Sequence, residues 1–107
     1  MNFRVHVIAD GEDDILDIYN YILLNDSVVA AEYVLRKLEE TCVKLAQNPE
    51  RGHFPPELER IGVSEYREIH YKPYLIIYKI SNRDVFIYCV LDGRRELQEL
   101  LERRLLR

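Results

Sequence analysis

Two short stretches of this chain gather the side chains that could do chemistry: Glu65-Tyr66-Arg67-Glu68-Ile69-His70-Tyr71-Lys72 and Gly93-Arg94-Arg95-Glu96. Cleavage of RNA without a metal needs a base for the 2′-hydroxyl, a cation for the phosphate charge and an acid for the leaving oxygen. Arg67, His70, Tyr71, Arg94 and Arg95 include all of those types, and a catalytic set of this kind would rest on Arg67, His70 and Arg95. The same residues also have a plainer reading, in which Arg67 and His70 point off a strand while Arg94 and Arg95 open a surface helix.

Other chemistries find little footing. The glycines, Gly11, Gly52, Gly62 and Gly93, lie outside any Gly-rich strand-to-helix turn, so no loop is set up to cradle phosphates. His6, His53 and His70 are far apart in sequence and none stands four residues from another ligand, so neither a metal nor a cofactor is expected. Cys42 and Cys89 fall in apolar-periodic segments and read as buried free thiols, not as nucleophiles or a disulfide. Asp13 and Asp17 read as a solvated helix front and not as an acid/base pair.

The chain has 107 residues and a net charge of −4, with 48% of its residues hydrophobic and 32% charged. That length predicts one domain spanning residues 1–107. Asp10, Glu12, Asp13, Asp14, Asp17 and Asp26 come early with no Lys or Arg among them, whereas Arg94, Arg95, Arg103, Arg104 and Arg107 come late. Proteins that hold nucleic acid by its phosphates present a basic face. This chain can do so only at its C-terminal end, so direct sequence-specific binding of nucleic acid by the chain alone is not expected. No apolar run approaches the ~20 residues of a membrane span. Met1 to Asp10 lacks the apolar core and cleavage site of a signal peptide, which points to the cytoplasm and to no membrane partner.

The elements that must position these groups follow from periodicity. Phe3 to Ala9 alternates as a strand. Asp10 offers an N-cap for a helix carrying Ile15, Ile18, Tyr19 and Ile22 on one face and ending near Asn25. Ser27 can cap a second helix to about Asn48, with Leu35, Leu38, Cys42 and Leu45 as its apolar stripe; the short link implies an antiparallel helical hairpin. After a loop with one helical turn at Glu57 to Arg60, three strands are expected at Tyr66 to Tyr71, Tyr74 to Ile80 and Val85 to Leu91. Arg94 to Arg107 reads as a final helix with Leu97, Leu100, Leu101 and Leu105 on one side. The predicted fold class is α+β: a helical hairpin packed on a mostly antiparallel four-stranded sheet, in the order β-α-α-β-β-β-α.

The strands Tyr74 to Ile80 and Val85 to Leu91 are apolar on both faces, where a sheet with one wet face should alternate more cleanly. Either the C-terminal helix covers the second face, or a partner protein does.

Asp14-Ile15-Leu16-Asp17-Ile18-Tyr19-Asn20-Tyr21-Ile22, then Leu45 with Asn48-Pro49-Glu50-Arg51-Gly52, resembles the helical hairpin and its exit in ParE/RelE superfamily toxins. Pro56-Glu57-Leu58, Gly62, Tyr66-Arg67-Glu68-Ile69 and Tyr74-Leu75-Ile76-Ile77-Tyr78 resemble the loop and sheet, and Val90-Leu91-Asp92-Gly93-Arg94-Arg95-Glu96-Leu97-Gln98 resembles the ending of a ParE-like branch. The resemblance implies a type II toxin neutralised by a cognate antitoxin. The apolar sheet suits such a partner, with Tyr74, Ile76 and Tyr78 as the expected antitoxin-binding residues. RNA-cleaving relatives usually carry an Arg where this chain has Leu75, and a Tyr or His near Leu100 and Leu101; a leucine can neither stabilise a phosphorane charge nor transfer a proton. The resemblance therefore points to the ParE side: inhibition of DNA gyrase by protein contact, with Arg94 and Arg95 as target-binding residues and no chemistry of the chain's own. The alternatives are a ribosome-dependent mRNA endonuclease of the RelE kind and a chain that only binds its antitoxin.

Overall fold

A computed structural model describes residues 2–106; Met1 and Arg107 lie outside the described residues, so the expected helical place of Arg107 does too. The elements run β1 (Arg4–Val7), α1 (Ala9–Asn25), α2 (Val28–Val43), α3 (Pro56–Glu59), β2 (Arg67–Tyr71), β3 (Tyr74–Ser81), β4 (Asp84–Asp92) and α4 (Leu97–Leu105). One sheet has the strand order β1-β4-β3-β2, with β1 parallel to β4 and the other pairings antiparallel. This is the α+β arrangement that the periodicity predicts. Among the described residues, no helix is long and apolar enough to cross a membrane.

Each face of the sheet carries its own core. Leu38, Cys42 and Leu45 from α2 and its exit pack with Ile69, Ile76, Tyr78, Val85, Ile87 and Val90, and Ile15 and Ile18 of α1 join them. On the opposite face Leu97, Leu100, Leu101 and Leu105 lie with Leu58, Tyr66, Leu75, Ile77, Cys89 and Leu91. The chain's own α4 therefore covers the second apolar face. Which apolar residue of β4 faces which core is set by a local irregularity. A bulge shifts the register between Ile77↔Cys89 and Tyr78↔Ile87, so β4 has one residue more than its partner there. An extra residue reverses the alternation beyond it. Val85, Ile87 and Val90 thus face the hairpin, while Tyr88, Cys89 and Leu91 face α4.

Several boundaries differ from the expectation. Helix α1 begins at Ala9, preceded by Ile8 with no side-chain cap, so Asp10 is a first-turn residue and not the N-cap. Ser27 caps α2 as expected, its hydroxyl accepting from the Ala30 N–H at 3.0 Å, but α2 stops at Val43 and yields to tighter turns at Lys44–Ala46 and Pro49–Arg51. Helix α4 starts at Leu97 and not at Arg94, because the Asp92 carboxylate takes the Arg94 N–H at 2.9 Å and Glu96 becomes the N-cap, accepting from the Glu99 N–H at 3.2 Å.

Two polar anchors fix the layers. The hydroxyl of buried Tyr78 donates to the Pro49 carbonyl at 2.5 Å and accepts from the Gly52 N–H at 3.1 Å, which holds the loop after α2 against the sheet. At the other edge β1 pairs β4 only as far as Ile87. Beyond it the Asp14 carboxylate accepts the Val90 N–H at 2.9 Å and pairs with Arg104 at 2.8 Å, joining α1, β4 and α4.

Candidate functional site

Successive side chains of a strand point to opposite faces. In β2, Ile69 and Tyr71 therefore belong to the hairpin side, together with Arg67, which stands opposite Tyr78. Glu68 and His70 stand opposite Ile77 and Leu75 on the α4 side. Arg67 donates to the Gly52 carbonyl at 3.0 Å and lies over the Phe54 ring at 4.6 Å, so it braces the loop that precedes it. Arg67, His70 and Arg95 consequently do not form one catalytic set: two of them are separated by the sheet, and the third stands in the turn after β4. Leu75, Leu100 and Leu101 are all buried beneath α4 or within it.

The turn Gly93–Glu96 presents the arginines differently. Arg94 grips Asp92 through both ends of its guanidinium, at 2.9 and 2.6 Å, and these bonds hold the Asp92 carboxyl at about 2, below the ordinary carboxylate range. Arg95 is exposed, and its guanidinium has no hydrogen bond or ion pair among the described residues. Arg94 also borders a cleft of about 440 Å³ shared with Glu68, His70, Lys72, Tyr74 and Leu97.

At the wall of that cleft the fold assembles a cluster that sequence separation conceals. Nε2 of His53 lies 2.6 Å from Oε2 of Glu68, although the residues are 15 apart, and Nε2 of His70 lies 3.3 Å from the same oxygen. The loop after α2 runs beside β2, and a lone β-bridge pairs His53 with Glu68. His53 and His70, far apart in sequence, thus meet at one carboxylate oxygen, where their spacing gave no expectation of a shared ligand set. The usable signal was Glu68 and His70 at spacing two on a strand; His53 had none, since tertiary bonds of the loop to Tyr78, Arg67 and Glu68 bring it there. The thiols behave as expected. Both are free and buried, and burial pushes Cys42 up to about 11 and Cys89 up to about 12.

The expected partner surface needs a correction. Ile76 and Tyr78 have no accessible surface, because the hairpin and its exit pack directly on them; only Tyr74 of the three keeps some. Strand β3 is also interior to the sheet, so its edges are not open to an added strand. An open groove of about 630 Å³ instead lies between α1, α2 and the edge strand β1. Its floor includes Val5, Val7, Ile15, Leu35 and Cys42, and Glu12, Glu32 and Glu39 stand at its rim.

A family model described as ParE toxin of type II toxin-antitoxin system, parDE, matches residues 10–97. The chain belongs to that family. No curated protein sequence matches it. Among solved structures, the fold of this ParE-family chain is similar to that of the chromosomal ParDE toxin–antitoxin system from P. aeruginosa, with a TM-score of 0.71 at 14% identity over 84% of this chain and 95% of that one. It is also similar to the toxin–antitoxin complex RelBE2 from Mycobacterium tuberculosis, with a TM-score of 0.64 at 16% identity over 86% and 92% of the two chains. A mutant of E. coli toxin RelE in the free state gives 0.67 at 13% identity over 99% and 97%. At these identities the structures support the fold, while the family model places the chain among toxins of type II toxin-antitoxin systems.

Proposed function

We propose that this ParE-family toxin inhibits DNA gyrase by protein contact, in the cytoplasm, and carries out no chemistry of its own. One observation carries the choice. Leu75, Leu100 and Leu101 occupy a packed core, so the positions that would supply phosphate stabilisation and proton transfer in an RNA-cleaving relative serve α4 docking instead. Arg94 and Arg95 are the proposed target contacts. Arginine's planar, weakly hydrated fork suits pairing with carboxylates across a protein interface, and Arg95 is exposed without an ion pair among the described residues.

The proposed antitoxin contact moves from β3 to the groove beside β1. An apolar floor with an acidic rim suits an amphipathic helix whose flanks carry Lys or Arg, the helix-in-groove mode of recognition. The second reading, an mRNA endonuclease, draws on the cleft that Glu68, His70, Lys72 and Arg94 share. Induction of the chain in a bacterium separates the two. The gyrase reading expects a DNA damage response with translation initially intact, and expects Arg94→Ala/Arg95→Ala to lose growth inhibition while remaining folded and antitoxin-bound. Prompt arrest of translation with cut mRNA would favour the endonuclease.

A further inference from the structure

We propose that His53, Glu68 and His70 form a binding site for a borderline first-row transition metal of the Zn2+ class. The inference does not depend on the gyrase reading. Each residue offers one ligand atom, and the three ligand atoms lie within 4.8 Å of one another. Two imidazoles and one carboxylate are the donor set that such metals take, whereas Mg2+ and Ca2+ favour all-oxygen sites.

The carboxylate is the second observation. Glu68 is only 4% exposed, and its Oε1 is buried with no hydrogen-bond partner among the described residues. Both histidines crowd onto Oε2 while Oε1 has none. A buried carboxylate left half-satisfied is costly, and buried polar groups in folded proteins almost always have partners. A cation held between the imidazoles would neutralise that charge directly.

The geometry needs only a small closure. Bonds of 2.0–2.2 Å in a tetrahedral site separate neighbouring ligand atoms by about 3.4 Å. The Oε2–His70 distance of 3.3 Å already fits, and the Oε2–His53 distance of 2.6 Å must open. The two rings lie 5.5 Å apart between centroids, and their side chains are 63% and 42% exposed, so each can reorient without disturbing the core. Bound metal would tighten the hold of the loop carrying His53 on the edge strand β2, beside the β-bridge that pairs His53 with Glu68. Three protein ligands leave a fourth position for water or another donor, and Glu68 and His70 both line the cleft that holds Arg94.

The test uses the full chain without a histidine tag, titrated with Zn2+ by calorimetry and with Co2+ by visible absorption. We expect one equivalent to bind, with a tetrahedral Co2+ spectrum that Zn2+ abolishes. Loss of outer-shell partners alone weakens metal sites about 10–100-fold. Direct-ligand substitutions His70→Ala and Glu68→Gln should therefore each weaken binding at least about tenfold. His6→Ala should leave it unchanged, since His6 sits at the far edge of the sheet against Phe86 and Asp84. Folding of each variant is checked by circular dichroism. His70→Ala replaces a half-exposed side chain and keeps the test decisive if Glu68→Gln is unstable. Absence of saturable one-equivalent binding, or a folded His70→Ala variant that binds as tightly as the parent, would overturn the site.

Discussion

At Gly52 the chain has no room for a side chain. A Cβ there would stand 2.5 Å from the Tyr78 hydroxyl and 2.6 Å from the Glu68 carbonyl, so the loop could not keep its place on the sheet. Gly52→Ala should therefore destabilise by about 1–3 kcal/mol, as overpacking in a tight interior does. Urea denaturation would measure this, and an unchanged midpoint would mean that the loop can shift freely. The same anchor explains what was legible in individual residues. Buried thiols, the cap at Ser27 and the leucine stripe of α4 follow from local pattern, and the structure has them. The opposed faces of Arg67 and His70 were legible too, since an odd spacing on a strand separates two side chains. The approach of His53 to Glu68 was not, because it depends on where a loop closes and not on any periodicity.

Helices and strands register long patterns well and their ends poorly. The hairpin and the four strands follow from apolar spacing, yet α1 starts one residue before Asp10 and without a side-chain cap, and α4 starts three residues late because the Asp92 carboxylate takes the Arg94 N–H. The β4 bulge hid which of its apolar residues faces which layer, since alternation changes sign at Tyr88. Asp14 shows how one such residue joins elements. Its side chain is 14% exposed and that of Arg104 is 23% exposed, and Asp14 serves the Val90 N–H as well as the guanidinium. Asp14→Ala strands both a backbone donor and a cation, and should cost about 2–4 kcal/mol. Arg104→Ala leaves Asp14 bonded to Val90 and should cost about 1–2 kcal/mol. A double-mutant cycle in urea should give a coupling of about 1 kcal/mol. Equal costs for the two single variants would indicate that the Val90 bond contributes nothing.

For the molecule as a whole, two surfaces divide the proposed work. The groove beside β1 is proposed for the antitoxin. Leu35→Asp, on its floor, should weaken antitoxin binding about tenfold or more, because a carboxylate placed in an apolar contact among Glu12, Glu32 and Glu39 lacks a partner. Calorimetry with a co-expressed antitoxin would check it, and retained affinity would place the contact elsewhere. The turn Gly93–Glu96 is proposed for the target. The toxin's family was legible in the order of its motifs, whereas the partner surface was not. An apolar strand reads alike whether a foreign helix or the chain's own α4 covers it. The central claim, contact inhibition of gyrase through Arg94 and Arg95, is tested most directly by ATP-dependent supercoiling of relaxed plasmid. Purified gyrase is mixed with the chain or with its folded Arg94→Ala/Arg95→Ala variant. The account predicts that the parent blocks supercoiling in proportion to its concentration and that the variant does not. Undiminished supercoiling in the presence of excess, folded, growth-inhibiting parent would contradict it.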